Sequence, residues 1–385
     1  MRPVSVEWGH AGAEGGRIVD LFTIAMSMAV ALGLLGADAA LTANTLGVQI
    51  NVPATVSGNG INRDFAEDVF STEIARMVQT PSLLSPPSVR SSSEKSLVSV
   101  IAKSLNLDEL TFAVQQTIGL QPVRLSGTII AGERTRFIMT ASSSQTGPFT
   151  IDLRSDDGDV VALVRRAAQL TIERVEPYRA ALFHFTQAAD ARSGDFSLAE
   201  SIAERDLAQP LRADTLDRRA LFINLLGIIA LMRNDISEAD RRFSELVEKH
   251  PKFAIGYLNL AFLRVHQDRY DEALQVVHRM LKPRPLTDVP QLRCAAYVTL
   301  GVAAWAKGRH REAEASFARA VREYWGTTAG YEYWARMLIE TGRPEEGAQK
   351  RRLGVANLPY FENFPEAAML YFELDPHDNA PLTRW

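Results

Sequence analysis

A few stretches of the 385-residue chain carry side chains of types that do chemistry. Ser92-Ser93-Glu94-Lys95 has the Ser-x-x-Lys spacing in which a lysine assists a nucleophilic serine in acyl transfer. The companion Ser-Asp-Asn and Lys-Thr-Gly segments are missing, and Ser91 with Glu94 has the spacing of a capping box that opens a helix. Gly58-Asn59-Gly60-Ile61-Asn62-Arg63 offers two of the three glycines of a dinucleotide loop. Arg63 stands where the third should be, and no parallel βαβ unit is legible around it, so a turn entering a helix accounts for the stretch. Asp152, Asp156, Asp157 and Asp159 gather around Gly158, but no bidentate Glu follows to complete a calcium loop. His266 and His278 are too far apart for a His-Glu-x-x-His metal pair. The single cysteine, Cys294, excludes an internal disulfide framework and a cysteine-rich metal site. No stretch supplies a nucleophile, a base and an orienting group together. The expectation is a chain without catalytic residues, cofactor or metal.

Composition narrows the class further. A hydrophobic content of 46% is ample for packed cores, and a net charge of −4 provides no basic footprint for nucleic acid.

The elements that would have to position any site are helices, and they recur. Gly227 is answered by Ala261, Ala239 by Ala273 and Pro251 by Pro285, each 34 residues on. Ile223, Leu226, Gly227 and Ala230 share one helical face, Asn234-Asp235 interrupts, and Ile236, Ala239, Phe243 and Leu246 form a second stripe that Pro251 ends. The unit is helix, tight turn, helix. A second runs from Ala254 and a third from near Cys294, delayed six residues by the loop holding Leu286-Thr287-Asp288. A fourth runs from near Thr328, and a degenerate hairpin with Ala199 in the small-residue slot precedes the first, from Tyr178 to Ala208. Small residues let antiparallel helices approach. No hairpin buries its apolar face alone, so neighbours must stack.

This pattern resembles the tetratricopeptide repeat (TPR) family. The resemblance is carried by Leu226-Gly227, Ala239, Phe243, Pro251, Tyr257, Leu260-Ala261, Ala273, Pro285, Tyr297, Leu300-Gly301, Ala313, Phe317 and Ala320, over the last half of the chain. Gly347 and Arg351 depart from it, which suits a capping repeat. The resemblance implies an α-solenoid whose inner face is lined by the first helix of each repeat. In this register the expected peptide groove comprises Leu221, Asn224, Ile228 and Leu231, then Ile255, Leu258, Phe262 and Val265, then Ala295, Val298, Val302 and Trp305, with Glu332, Arg336 and Ile339 from the last unit. So apolar a lining suits an amphipathic helix or peptide from a protein partner. Equally open is a groove filled by the protein itself, because apolar patches of this size are rarely left bare.

The expected layout is mainly α. Residues 1–17 form a disordered tail, and 18–38 a transmembrane helix. A small α+β domain with an antiparallel sheet and a linker near 80–93 spans 40–176. The TPR array spans 177–360, and 361–385 form a capping tail. Ile18 to Ala37 is almost wholly apolar, and 20 residues at 1.5 Å each cover about 30 Å, a bilayer core. Arg2 and Arg17 precede it and no Lys or Arg follows before Arg63, which favours export of the bulk of the chain. The segment either remains as a single-pass signal anchor in the cell membrane, or is removed at Ala37-Asp38-Ala39 to leave a soluble periplasmic protein. The order of elements is similar to that of bacterial membrane-anchored TPR proteins without assigned activity. The function expected is an interaction scaffold, with a structural or oligomerising envelope module as the second reading and an enzyme with a site in residues 40–176 as the least favoured.

Overall fold

The computed structural model describes residues 45–57, 61–80, 82, 88–91, 123–132, 134–142, 147–210, 216–282, 286–356 and 367. The expected tail 1–17, the span 18–38, the cleavage point at Ala39, Gly58 to Gly60, most of the linker, Pro285, and the capping tail apart from Ala367 lie outside them. Among the described residues no helix is long and apolar enough to cross a membrane. The chain divides into two compact units. One is Met1–Arg76 with Pro86–Thr171, the other Met77–Ser85 with Ile172–Trp385.

The first unit is built on a five-stranded sheet in the order β2-β1-β3-β4-β5. Its strands are β1 (Thr45–Asn51), β2 (Ser88–Ser91), β3 (Val123–Ile130), β4 (Thr135–Ser142) and β5 (Phe149–Ser155). A short helix α1 (Ala54–Ser57) and a longer α2 (Arg63–Val78) follow β1, and α3 (Val160–Val175) follows β5. The expected antiparallel sheet is mixed: β1 pairs in parallel with both β2 and β3, and only β3, β4 and β5 form an antiparallel meander. The reason is topological. The chain leaves β1 through α2 before returning as β2, and such a crossover brings the next strand back parallel. A parallel βαβ unit is therefore formed by β1, α2 and β2, contrary to expectation, and Arg63 opens its helix. The third glycine is still lacking, and Arg63 donates from Nε to Glu67 at 2.8 Å. Residues 88–91, expected in the linker, are strand β2.

Alternation places Val48, Ile50, Leu125, Ile129, Phe137 and Met139 on the buried face. Alternation puts Gly127 on the same face, and glycine suits it because the Phe137 ring lies across it, 2.8 Å from where a Cβ would stand. On α2, Ala66, Phe70, Ile74 and Met77 are all buried at helical spacing. β2 pairs with β1 only up to Val48, and beyond it the backbone N–H of Ile50 donates to Glu67 Oε1 at 3.0 Å. Glu67 is 1% exposed. Removing its carboxylate strands a buried donor, so Glu67→Ala should cost about 1–3 kcal/mol in urea unfolding, and Glu67→Gln markedly less.

The second unit is a stack of helical hairpins. The helices are α4 (Pro177–Asp190), α5 (Ser197–Leu207), α6 (Leu216–Met232), α7 (Ile236–Lys249), α8 (Ala254–His266), α9 (Tyr270–Leu281), α10 (Pro290–Ala306), α11 (His310–Glu323), α12 (Thr328–Glu340) and α13 (Pro344–Ala356). They pair as α4–α5, α6–α7, α8–α9, α10–α11 and α12–α13, and each hairpin packs on the next. All five first helices end alike. A residue of positive φ (Arg192, Asn234, Asp268, Gly308, Gly342) is followed by a backbone N–H that donates five residues back. Those bonds run from Ser193 to Ala188, Asp235 to Ala230, Arg269 to Arg264, Arg309 to Ala304 and Arg343 to Leu338. This is the Schellman closure of a helix end. Its recurrence makes α4–α5, read as degenerate, a full member of the stack.

Close approach explains the small residues. A Cβ on Gly227 would stand 2.5 Å from the Phe243 ring, and one on Gly301 2.4 Å from the Phe317 ring. In the α8–α9 hairpin the glycine slot holds Ala261 and the ring slot holds the smaller Val277. In α4–α5 the sizes are exchanged: Phe185 takes the first position and Ala203 the second, both fully buried.

Candidate interaction site on the inner face of the hairpin stack

The TPR resemblance assigns the inner face to the first helices, here α6, α8, α10 and α12. These first helices differ from their partners. The second helices α7, α9 and α11 are amphipathic, burying only a stripe such as Ala239, Phe243, Leu246 and Val247. The first helices are apolar around most of their circumference and are buried accordingly. All twelve residues from Ala254 to Val265 are buried, as are all eight from Val298 to Trp305.

Ten of the eleven positions at the heart of the expected groove are therefore closed to solvent. Leu221, Asn224, Ile228, Ile255, Leu258, Phe262, Val265, Val298, Val302 and Trp305 are each 0–3% exposed. Leu231 and Ala295 are buried too. An open apolar channel is not what the structure shows at these residues. Arg336 is half-buried and Ile339 exposed, so the face becomes accessible only towards α12. Glu332 is engaged within its own hairpin, where Arg351 donates to it at 2.7 and 2.9 Å.

Two polar features hold the face in register. Asn259 Nδ2 donates to Asn224 Oδ1 at 2.8 Å, a fully buried bond joining α6 to α8. In a water-free setting that pair fixes one alignment, because a slip would strand both amides. A ladder of ion pairs also joins each hairpin to the next. Arg233 reaches back to Glu200 at 2.7 Å, Arg264 to Asp240 at 2.7 Å, Lys307 to Asp271 at 2.5 Å and Arg343 to Glu314 at 2.7 Å. In every case the base is at the end of a first helix and the acid near the start of the preceding second helix. Burial opposes ionisation of Asp240, yet the guanidinium of Arg264 and the Ser244 hydroxyl hold its carboxyl below the usual range.

At the start of α7, Arg241 and then Arg242 hold the Glu238 carboxyl down to about 2. A depressed folded-state value gives stability that is present above about pH 4.5 and lost as pH falls towards 2. Glu238→Gln should lower the melting temperature at pH 7 and leave a smaller difference from wild type at pH 3, by calorimetry at both values.

The residues with chemical potential do not converge. Asp152 is paired with Arg136, Asp156 with Arg134 and Asp157 with Ser155, while Asp159 accepts the Ala162 N–H and so caps α3. These are the contacts of a solvated turn. Burial lowers the pKa of both His266 and His278, which occupy different helices. Burial likewise pushes the Cys294 thiol up to about 12, leaving it inert. Among the described residues no group of three or more His, Cys, Asp or Glu side chains could hold a metal ion.

No protein-family model matches the chain, and no curated protein matches it. Among solved structures it is similar to a crystal structure of MamA, with 18% identity and a TM-score of 0.34 over 44% of this chain and 92% of that one. It is also similar to "MamA MSR-1 C2", with 18% identity and a TM-score of 0.32 over 46% and 95% of the two chains. Scores this low carry no argument. The TPR-like character of the stack rests on its own five hairpins, their common closures and their small-residue slots.

Proposed function

We propose that the protein is a non-catalytic interaction scaffold. In this reading it is held at the membrane by residues 18–38, with the bulk of the chain exported. The TPR-like stack provides the working surface and takes an apolar helical or extended segment on its inner face. The observation that carries this is the closure of α8 around its whole circumference. Its hairpin partner α9 and the flanking α7 and α10 all pack against it. A stack whose first helices are apolar beyond the stripe that meets their own partners is chemically suited to pack a further apolar segment.

The same burial supports the second reading, in which the face is permanently filled and the protein is a structural module. Cross-linking in membranes separates the two. Full-length protein is compared with Arg336→Glu and Leu258→Ala, each first shown to be folded by circular dichroism. A companion recovered with wild type and lost from both variants supports a receptor. Equal recovery from all three places any partner elsewhere and favours the structural module.

A further inference from the structure

The sheet of the first unit ends in an open edge. β5 is the last strand in the order β2-β1-β3-β4-β5 and pairs with β4 alone. Among the described residues no turn or loop makes a backbone hydrogen bond to its other edge. A row of backbone donors and acceptors left in this way is a template for a further strand. The side chains of β5 fit that role. On the core face Phe149 and Leu153 are only half-buried on either side of the buried Ile151, so the apolar layer stops short at this edge. On the opposite face Arg154 lies directly across the ladder from Arg136, and like charges so placed repel. The neighbouring acid, Asp152, is engaged by Arg136, whose Nε donates to it at 2.6 Å. Arg154 is exposed and, among the described residues, closes no ion pair of its own.

We propose that β5 pairs antiparallel with β5 of a second copy, about a twofold axis through Leu153, so that the two sheets become one. Opposed residues of two paired strands share a face, so the axis must pass through a residue that meets its own copy. Three such registers keep most of the strand paired. An axis at Asp152 opposes two carboxylates. An axis at Ile151 sets Arg154 against Pro148, which has no N–H for the ladder and leaves the charge unmet. An axis at Leu153 sets Asp152 of each copy against Arg154 of the other and closes two ion pairs. Each Asp152 then lies between Arg136 of its own chain and the incoming Arg154. On the core face Leu153 meets its copy and Ile151 meets Ser155, which extends the apolar layer past its present edge. The strand is thus its own complement, as an isologous dimer surface must be. The inference concerns the first unit and goes beyond the scaffold reading, which rests on the hairpin stack.

Disulfide cross-linking of the full-length chain in membranes tests this, in a Cys294→Ala background and with every variant first shown to be folded by circular dichroism. Leu153→Cys should join two copies on mild oxidation, because a residue on the axis lies opposite itself at a Cα separation of about 4.5–5.5 Å, within disulfide reach. Phe149→Cys is the reference. In this register its two copies stand about 26 Å apart, eight strand steps of about 3.3 Å, and should link about tenfold less. Adding Arg154→Asp to Leu153→Cys opposes two carboxylates at each former ion pair and should cut the product about tenfold. Adding Asp152→Arg as well exchanges the charges and should restore it, with Arg136 now opposite an acid at 154 in its own sheet. No linkage, equal linkage at 149 and 153, or linkage at 153 that ignores the charges overturns the proposal. Linkage of position 153 to a different protein makes the edge a docking site for that protein and overturns self-pairing.

Discussion

Phe317→Ala should destabilise the hairpin stack by about 3–5 kcal/mol, the usual range for emptying a phenylalanine site in a packed core. The ring is fully buried and is pressed against Gly301 so closely that a Cβ there would stand 2.4 Å away. Truncation leaves a void beside Gly301 in the α10–α11 crossing. Gly301→Ala is the converse test. Alanine favours a helix by about 1 kcal/mol over glycine, but overpacking the site costs about 1–3 kcal/mol, so the net change is unfavourable. Combining Gly301→Ala with Phe317→Val recreates the Ala261 and Val277 pairing of the neighbouring hairpin. The double variant should be more stable than the sum of the single changes allows, by a coupling of 0.5 kcal/mol or more in a double-mutant cycle. Additive effects would show that the two slots do not share one packing site.

Phe262→Asp has the second large effect. The phenylalanine is 1% exposed, in the middle of a helix buried on every side. An aspartate there loses the apolar ring and leaves a carboxylate without water, a combination that costs about 4 kcal/mol or more. Loss of the cooperative melt is therefore the expected outcome, and a folded variant that merely loses a partner is not. Because α8 links the hairpins on either side, the damage should spread through a stack in which each unit leans on its neighbours.

The stack was legible because helix periodicity and the 34-residue recurrence of Gly227, Ala239 and Pro251 are local signals. The α4–α5 hairpin was harder to read, since Phe185 and Ala203 exchange large and small across the same crossing. The mixed sheet was missed for a different reason. Strand direction is decided by the crossover through α2, and β2 hides in a serine- and proline-rich stretch that reads as linker. The ion-pair ladder has no fixed spacing: Glu200 to Arg233 and Asp240 to Arg264 span different intervals, and the pairing emerges only once helix ends are known.

For the candidate site, the sequence singled out an apolar face of the first helices and left its occupancy open, and the structure closes most of those residues to solvent. Helical register groups Ile228, Leu258, Phe262 and Val302 with the face that the TPR resemblance makes the inner side. What it does not settle is whether that side faces solvent. A clue was present in α6, α8 and α10, which are apolar beyond the stripe needed to pack against their partners. A helix apolar all round is a buried helix. The Asn224–Asn259 bond lay beyond sequence reading, because the two amides sit one position apart in the repeat register and meet only through the offset of the stacked helices.

The most direct test compares thermal melts, followed by circular dichroism, of wild type, Phe262→Asp and Ile339→Asp. Both substitutions introduce the same charge on the inner face, one at a closed position and the other at a residue 40% exposed. A closed inner face predicts that Phe262→Asp loses the cooperative transition or melts far below wild type, while Ile339→Asp stays within a few degrees. If Phe262→Asp melts like wild type, the inner face is an open groove and the account of a filled stack is wrong.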